Sequence, residues 1–270
     1  MRAAVLGAPI AHSLSPVLHR AAYQALGLTG WSYEAIECDE ARLPALLGEC
    51  GPEWAGLSLT MPLKRAVLPL LDELHPLARE VGAANTVVFP GGRRHGHNTD
   101  VPGMIAALGE AGVTGVTGQA TVLILGGGAT ACSALAAVRA LGAAQATVAV
   151  RDPARAHDLL AAAARLPVAV TLTGFDTPPD GAPEVLISTV PPGAADIYAK
   201  RIAHRDLVPG HLLDVVYHPW PTALAAAAQE ASIPGASGLD LLLHQAAHQV
   251  TLMTGHPAPL EAMRQALESR

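Results

Sequence analysis

The stretch LSLTMPLKRAV, residues 57 to 67, carries Lys64, one of two lysines in a chain with fifteen arginines. A chain that meets its need for positive charge with arginine marks a position where it uses lysine instead. A guanidinium stays charged, whereas a lysine ammonium with a lowered pKa can give up and recover a proton. Lys64 is thus the first candidate for acid–base chemistry, against the plainer reading of a solvated residue at a helix start. Asp100, in GHNTDVPG, is the carboxylate to pair with it, because strand ends of a parallel sheet converge on one edge, where ligands bind. Asn85, in GAANTVV, falls near the end of another strand of the same region. A Lys–Asp pair at such an edge can relay a proton to a carbonyl oxygen as a hydride arrives from the other face, against the plainer reading of Asn-Thr-Asp before Val-Pro-Gly as a turn with an Asx contact.

Two further clusters have chemical content. In PIAHSLSPVLH, Ser13 and Ser15 lie two residues apart in the turn leaving the first strand, so both hydroxyls can point to one side and donate to a carboxylate. Ser15 before Pro16 equally suits an N-cap. In TVLILGGGATACSA, Gly126, Gly127 and Gly128 stand between an apolar strand and a small-residue helix. A turn without Cβ atoms lets a diphosphate reach the backbone N–H groups at the helix start. Ala131 occupies the place of the third glycine of G-x-G-x-x-G, where only close helix packing is needed. The next strand ends in VAVRDPAR. An acidic residue at that end suits the ribose 2′-hydroxyl of NAD and an arginine the 2′-phosphate of NADP. Arg151 and Arg155 favour NADP, and Asp152 keeps NAD possible.

These residues need elements to position them. RAAVLG, WSYEAIEC and WAGLSLT read as strands, separated by helices over SPVLHRAAYQALGL and ARLPALLGEC, the second broken early by Pro44. Strands alternating with helices imply a parallel sheet. AANTVVFP and RRHGHN read as a strand and its antiparallel continuation, closing a first unit near residue 100. After the helix VPGMIAALGEAG and a Gly-rich join the alternation restarts: TVLIL, ATVAVRD, VAVTLT, PEVLISTV and HLLDVVYH as strands, with helices over ATACSALAAVRALGA, PARAHDLLAAAARL and DIYAKRIAH. Two helices, GLDLLLHQAAHQVTLMTG and PLEAMRQALESR, end the chain.

Bulk properties narrow the partners. Half the residues are hydrophobic, yet aromatic residues make up 3%, so Ala, Leu and Val fill the interior. A net charge of −6 speaks against a nucleic-acid partner, which calls for a basic face. No apolar run reaches the length of a bilayer span, and the start meets Gly and Pro too soon for a signal peptide, so no membrane partner is expected. Three cysteines without a CxxC pair fit reduced thiols in a cytoplasm. His244 and His248 lie one helical turn apart, but Gln245 stands where HExxH has its Glu and no third ligand follows, so no metal is expected.

In order along the chain, PIAHSLSPVLH, GLSLTMPLK, GAANT, GHNTD, LGGGATA, VRDPAR, ISTVPPG, DVVYHPWPTAL and SGLDLLLHQA resemble the motifs of the shikimate dehydrogenase family. The resemblance implies an N-terminal α/β substrate-binding catalytic domain over residues 1–100, completed by 238–270 as the C-terminal helices return to it. It also implies a Rossmann-type NADP-binding domain over 101–237. The activity implied is reversible NADPH-dependent reduction of 3-dehydroshikimate to shikimate, by a monomer or homodimer, in the cleft between the domains. Ser13 and Ser15 would bind the substrate carboxylate with Tyr217 near it, and Thr60, Lys64, Asn85, Asp100 and Gln245 would surround the ring hydroxyls. Lys64 and Asp100 would be the catalytic pair. Gly126, Gly127, Gly128, Ala129, Arg151 and Arg155 would bind NADP, with Thr189 and Gly238 lining the cofactor side.

The chain departs from the family pattern at Ser58 and Ser188, where the family usually has Asn, and at Val150 and Asp152, which flank Arg151. The alternatives on the same scaffold are a quinate or quinate/shikimate dehydrogenase using NAD and an aminoshikimate relative. Others are a non-catalytic nucleotide- or metabolite-binding regulator and a tetrahydrofolate-type dehydrogenase. The intact serine pair favours shikimate over quinate, whose extra hydroxyl would crowd that turn.

Overall fold

A computed structural model of the chain describes every residue except 119, 178, 180 and 270, and Arg155 by its backbone alone. It divides into two compact units, residues 1–99 with 242–270, and residues 100–241.

The first unit begins with β1 (Arg2–Gly7), α1 (Ser15–Ala25), β2 (Ser32–Glu37), α2 (Leu43–Glu49) and β3 (Trp54–Leu59). There follow α3 (Leu63–Ala66), β4 (Glu73–Leu74), α4 (Pro76–Val81), β5 (Thr86–Val88) and β6 (His95–His97). Pro44, expected to break α2, instead lies in its first turn, where the missing N–H has no intrahelical partner to lose. The strands form one sheet in the order β2-β1-β3-β5-β6-β4. β1 runs parallel to β2 and β3, while β5 runs antiparallel to β3 and to β6. The reversal brings the C-terminal ends of β1, β3 and β6 and the N-terminal end of β5 to a single edge.

Strand alternation, shifted by a register irregularity at Ala55 of β3, sorts the core of this unit into two layers. Leu6, Leu57, Leu59 and Val87 pack with Leu43, Leu46 and Leu47 of α2, whereas Val5, Tyr33 and Ala55 pack with Tyr23 of α1 and with Met253. Met253 belongs to α10 (Gly238–Thr254), which is followed by α11 (Leu260–Glu268). Leu243, Ala246 and Val250 of α10 and Met263 of α11 are buried against Leu18 and Ala22 of α1. Full burial of a leucine is worth roughly 1.5–3 kcal/mol, so this seam holds the C-terminal segment on the N-terminal sheet.

The second unit comprises α5 (Asp100–Glu110), β7 (Val122–Leu125), α6 (Ala129–Ala140), β8 (Gln145–Val150), α7 (His157–Arg165) and β9 (Ala169–Gly174). It continues with β10 (Val185–Ser188), α8 (Asp196–Ala203), β11 (His211–Asp214), α9 (Ala223–Glu230) and β12 (Gly235–Ala236). The paired strands are all parallel, in the order β12-β11-β10-β7-β8-β9. Counted from β7, this is the 3-2-1-4-5-6 order of a doubly wound dinucleotide-binding, or Rossmann, sheet, with its switch point between β7 and β10.

Two local expectations fail in this unit. The helix expected from Pro153 starts only at His157, because residues 153–155 form a 3-10 turn that the Asp152 carboxylate caps by accepting from the Ala154 N–H at 3.0 Å. α9, absent from the sequence reading, is built on ALAAAAQE, whose alanines give little amphipathic contrast. Its start is fixed by the Thr222 hydroxyl, which accepts from the Ala225 N–H at 3.0 Å.

Candidate functional site

The single edge of the first sheet gathers most of the expected side chains. Ser13 and Ser15 follow β1, Thr60 and Lys64 follow β3, and Asn85 immediately precedes β5. Backbone hydrogen bonds lock these loops together: the Thr60 N–H donates to the Leu6 carbonyl at 2.9 Å, and the Leu59 N–H to the Asn85 carbonyl at 2.7 Å. The Ala84 N–H donates to the Lys64 carbonyl at 2.8 Å, which seats the lysine beside Asn85 by backbone alone. Ser15 is not the N-cap that its place before Pro16 suggests. Leu14 holds that position, Ser15 is the first helical residue, and the Ser13 hydroxyl accepts the Ser15 N–H at 3.3 Å.

Asn85 is buried and held at both ends of its amide. Its Oδ1 accepts from the Thr99 N–H at 2.8 Å and the Thr86 hydroxyl at 2.9 Å, and its Nδ2 donates to Thr99 Oγ1 at 2.9 Å and Gln245 Oε1 at 3.4 Å. The expected Gln245 thus reaches the N-terminal sheet from α10. Asp100 follows Thr99 directly; it opens α5, is buried, and counts with the second unit.

Behind this edge lies a buried polar chain that the sequence reading missed. The Tyr33 hydroxyl donates to Ser58 Oγ at 2.6 Å, and Ser58 Oγ donates to Gln249 Oε1 at 2.7 Å. Gln249 Nε2 donates to the Asn85 carbonyl at 3.3 Å and to Thr86 Oγ1 at 3.0 Å, while its Oε1 also receives His19 Nε2 at 3.3 Å. His19 stacks on Tyr33 with ring centroids 3.9 Å apart. Ser15 also engages the Tyr33 phenol, whose pKa burial pushes up. Burial holds the imidazole of His19 neutral, with a pKa lowered to about 3. Ser58, where the resemblance leads one to expect Asn, is thereby turned inward. The available signal was the spacing of four between Gln245 and Gln249, which puts both amides on one helix face.

In the second unit the expected residues gather around the C-terminal ends of β7, β8 and β10. Gly126 has φ +107°, a conformation that side chains rarely adopt, and a Cβ there would lie 2.6 Å from Thr189 Oγ1. Thr189 is held to the turn by two bonds to the Leu125 carbonyl, from its N–H at 2.9 Å and its hydroxyl at 2.7 Å. Gly128 caps α6 without a side-chain partner, and nothing lies within 4 Å of the point where its side chain would begin. Ala129 is the first residue of α6.

Arg151 is exposed just past β8. Arg155 falls in the 3-10 turn, and its side chain lies outside the described residues. Tyr217, half-buried, follows β11, and burial raises its pKa. Gly238 begins α10 against the Val215–Val216 backbone, which leaves no room for a Cβ. Ser188, the second serine departure, is buried and engages Asp214, a carboxylate raised in pKa by burial and bonded by the Thr222 hydroxyl at 2.6 Å.

Comparison with known proteins agrees with this geometry. Residues 5–87 match the shikimate dehydrogenase substrate binding domain, and residues 238–268 the shikimate 5′-dehydrogenase C-terminal domain. A shikimate dehydrogenase (NADP(+)) of Thermus thermophilus is 38% identical, covering 99% of this chain and 99% of its own. The crystal structure of Mycobacterium tuberculosis shikimate dehydrogenase superposes with a TM-score of 0.89 at 45% identity, over 100% of this chain and 99% of that one. That of shikimate 5-dehydrogenase from a second Thermus thermophilus strain, in complex with NADP(H) and shikimate, gives 0.83 at 32% identity, over 100% and 99%. Matched along its whole length in sequence and in both units of its fold, the chain belongs to the shikimate dehydrogenase family.

Proposed function

We propose that the protein catalyses the reversible NADPH-dependent reduction of 3-dehydroshikimate to shikimate. The observation that carries this reading is the convergence of Ser13, Ser15, Thr60, Lys64, Asn85 and Gln245 around one sheet edge. Two hydroxyls two residues apart suit a carboxylate, and the amides, the threonine and the lysine suit the hydroxyls of a polyhydroxylated ring. In this reading Ser13 and Ser15 hold the carboxylate with Tyr217 near it, and Thr60, Asn85, Gln245, Lys64 and Asp100 orient the ring.

The residues of the second unit fit NADP. The open backbone at Gly128 and the N–H groups at the start of α6 suit a diphosphate, and Arg151 at the end of β8 suits a 2′-phosphate. Gly126, Gly127, Ala129 and Arg155 complete this side, with Thr189 and Gly238 lining it. Asp152, the residue that would favour NAD, already accepts the Ala154 N–H. When bound, NADPH supplies the hydride that becomes the C–H of the product alcohol. Lys64 and Asp100 deliver the proton to the carbonyl oxygen, and the ammonium stabilises negative charge on that oxygen until the proton arrives.

We place the reaction in the cytoplasm, which keeps thiols such as Cys38 and Cys50 reduced, with a monomer or homodimer as the acting form and neither membrane nor nucleic acid as partner. The test is a matrix of initial rates with shikimate and quinate against NADP and NAD. The highest kcat/KM is expected for shikimate with NADP. A higher value for quinate with NAD, or no turnover with any pair, would overturn the reading.

A further inference from the structure

Gln249 is 1% exposed, and both ends of its amide are engaged. The two N–H donors go to the Asn85 carbonyl and Thr86 Oγ1, and the carbonyl receives the Ser58 hydroxyl and His19 Nε2. A glutamine satisfied on every side in a site without solvent is held in a single rotamer, since any other leaves buried polar groups unpaired. Its partners are not scattered. Asn85 and Thr86 begin β5, and Ser58 is the cross-strand partner of Thr86 on β3, one residue before Leu59 and two before Thr60. Through Ser58 the same amide reaches Tyr33, which engages Ser15. Gln245, one turn earlier on the same helix, bonds the Asn85 side chain, whereas Gln249 bonds its backbone.

We propose that Gln249 is a positioning residue for the substrate side of the site, its buried amide fixing Asn85 and Ser58 so that the groups ending β1, β3 and opening β5 keep their spacing. This rests on the catalytic reading above. Gln249 itself faces Asn85, Thr86, Ser58 and His19, and acts through them. An amide is what the position needs, and the site offers a second place to attach it. Because Ser58 pairs with Thr86 across the strands, an asparagine at 58 can fill the space that Gln249 vacates and bond the same Thr86 hydroxyl.

The test uses the full-length protein in five forms: wild type, Gln249→Met, Gln249→Ala, Ser58→Asn and Ser58→Asn/Gln249→Ala. Shikimate KM and kcat and NADP KM are measured for each. Gln249→Met keeps the volume and loses the hydrogen bonds, so shikimate KM is expected to rise about tenfold, the usual weight of one or two buried hydrogen bonds. NADP KM stays in place, and kcat falls much less than KM rises. Ser58→Asn alone crowds two amides together and is expected to be impaired. In the double variant the relocated amide returns shikimate KM most of the way to the wild-type value.

An unmoved shikimate KM in Gln249→Met would overturn the proposal. So would a double variant no better than Gln249→Ala, or a Gln249→Met chain that no longer folds, which would assign the amide to stability alone. Wild-type turnover is measured first: its absence refutes the catalytic reading and this role with it, whereas a normal wild type beside an unmoved variant refutes only Gln249.

Discussion

The two units build their candidate sites on opposite principles. The first works with side chains: hydroxyls, amides and an imidazole from β2, β3, β5, α1 and α10 form a chain with almost no exposure, from Tyr33 through Ser58 and Gln249 to Asn85 and Thr99. The second works with backbone: a glycine turn, a helix N-terminus and carbonyls, with Thr189 tying β10 to β7. A ring bearing several hydroxyls must be matched group by group, and each donor has to be held at its own distance. A diphosphate presents many equivalent oxygens and needs little more than close approach and N–H groups. The first site should therefore fail when a polar group is removed, and the second when a carbon is added.

The comparison can be broken most severely at Lys64. Lys64→Ala is expected to lower kcat by roughly 10²–10⁴, the usual weight of a positioned acid or base, while NADP binding stays nearly unchanged. Steady-state rates beside an NADPH fluorescence titration would show it, and near-normal turnover would remove the lysine from the chemistry. Next comes the added carbon. Gly126→Val meets both the positive φ and the Thr189 hydroxyl, a strain of about 1–3 kcal/mol for the backbone alone, and should weaken NADPH by tenfold or more. Shikimate KM extrapolated to saturating NADP should hold, and a variant with ordinary NADPH affinity would deny the glycine its role.

A smaller effect sharpens cofactor choice. Arg151→Ala should raise NADP KM by about tenfold, the weight of a charge-assisted hydrogen bond, and leave NAD KM where it was. Equal losses with both cofactors would move Arg151 away from the 2′-phosphate.

The last effect is on stability rather than on catalysis or binding. His19 has its pKa lowered to about 3 from an ordinary 6.5 by burial, against the opposing effect of its bond to Gln249. As pH falls below 6.5 the unfolded chain takes up a proton that the folded one refuses. The stability from this group is complete above 6.5 and declines progressively as pH falls toward 3. Urea unfolding at several pH values should show His19→Gln with a shallower acid slope than wild type, and parallel slopes would place the acid sensitivity elsewhere.

How far the sequence reaches differs between the two sites for the same reason. A backbone site announces itself locally: three glycines after an apolar strand, and an arginine after the next, are legible because the chemistry lies in the turns themselves. Of the side-chain site, the sequence shows the members at loop ends, Ser13, Ser15, Thr60, Lys64 and Asn85. It hides the support. Tyr33 sits in an ordinary strand, His19 and Gln249 on ordinary helix faces, and each looks like a core residue until its partner 25, 230 or 164 residues away comes into place. The same limit explains the helix at 223–230, whose alanines show no clear periodic face, and Pro44, which periodicity reads as a break and local geometry accepts as a start.

By itself, then, the sequence determined the alternation of strands and helices, the glycine turn and the chemical types at the loop ends, because periodicity and backbone freedom are local properties. The tertiary structure alone decided that β5 reverses against β3, which brings Asn85 beside Lys64. The return of α10 with Gln245 was already implied by the family resemblance, but the tertiary structure alone decided that Gln249 bonds the Asn85 backbone and that Ser58 turns inward to Tyr33 and Gln249. These are pairings between distant segments. They are settled by which buried donors and acceptors can be satisfied together, a condition that no short stretch of chain contains.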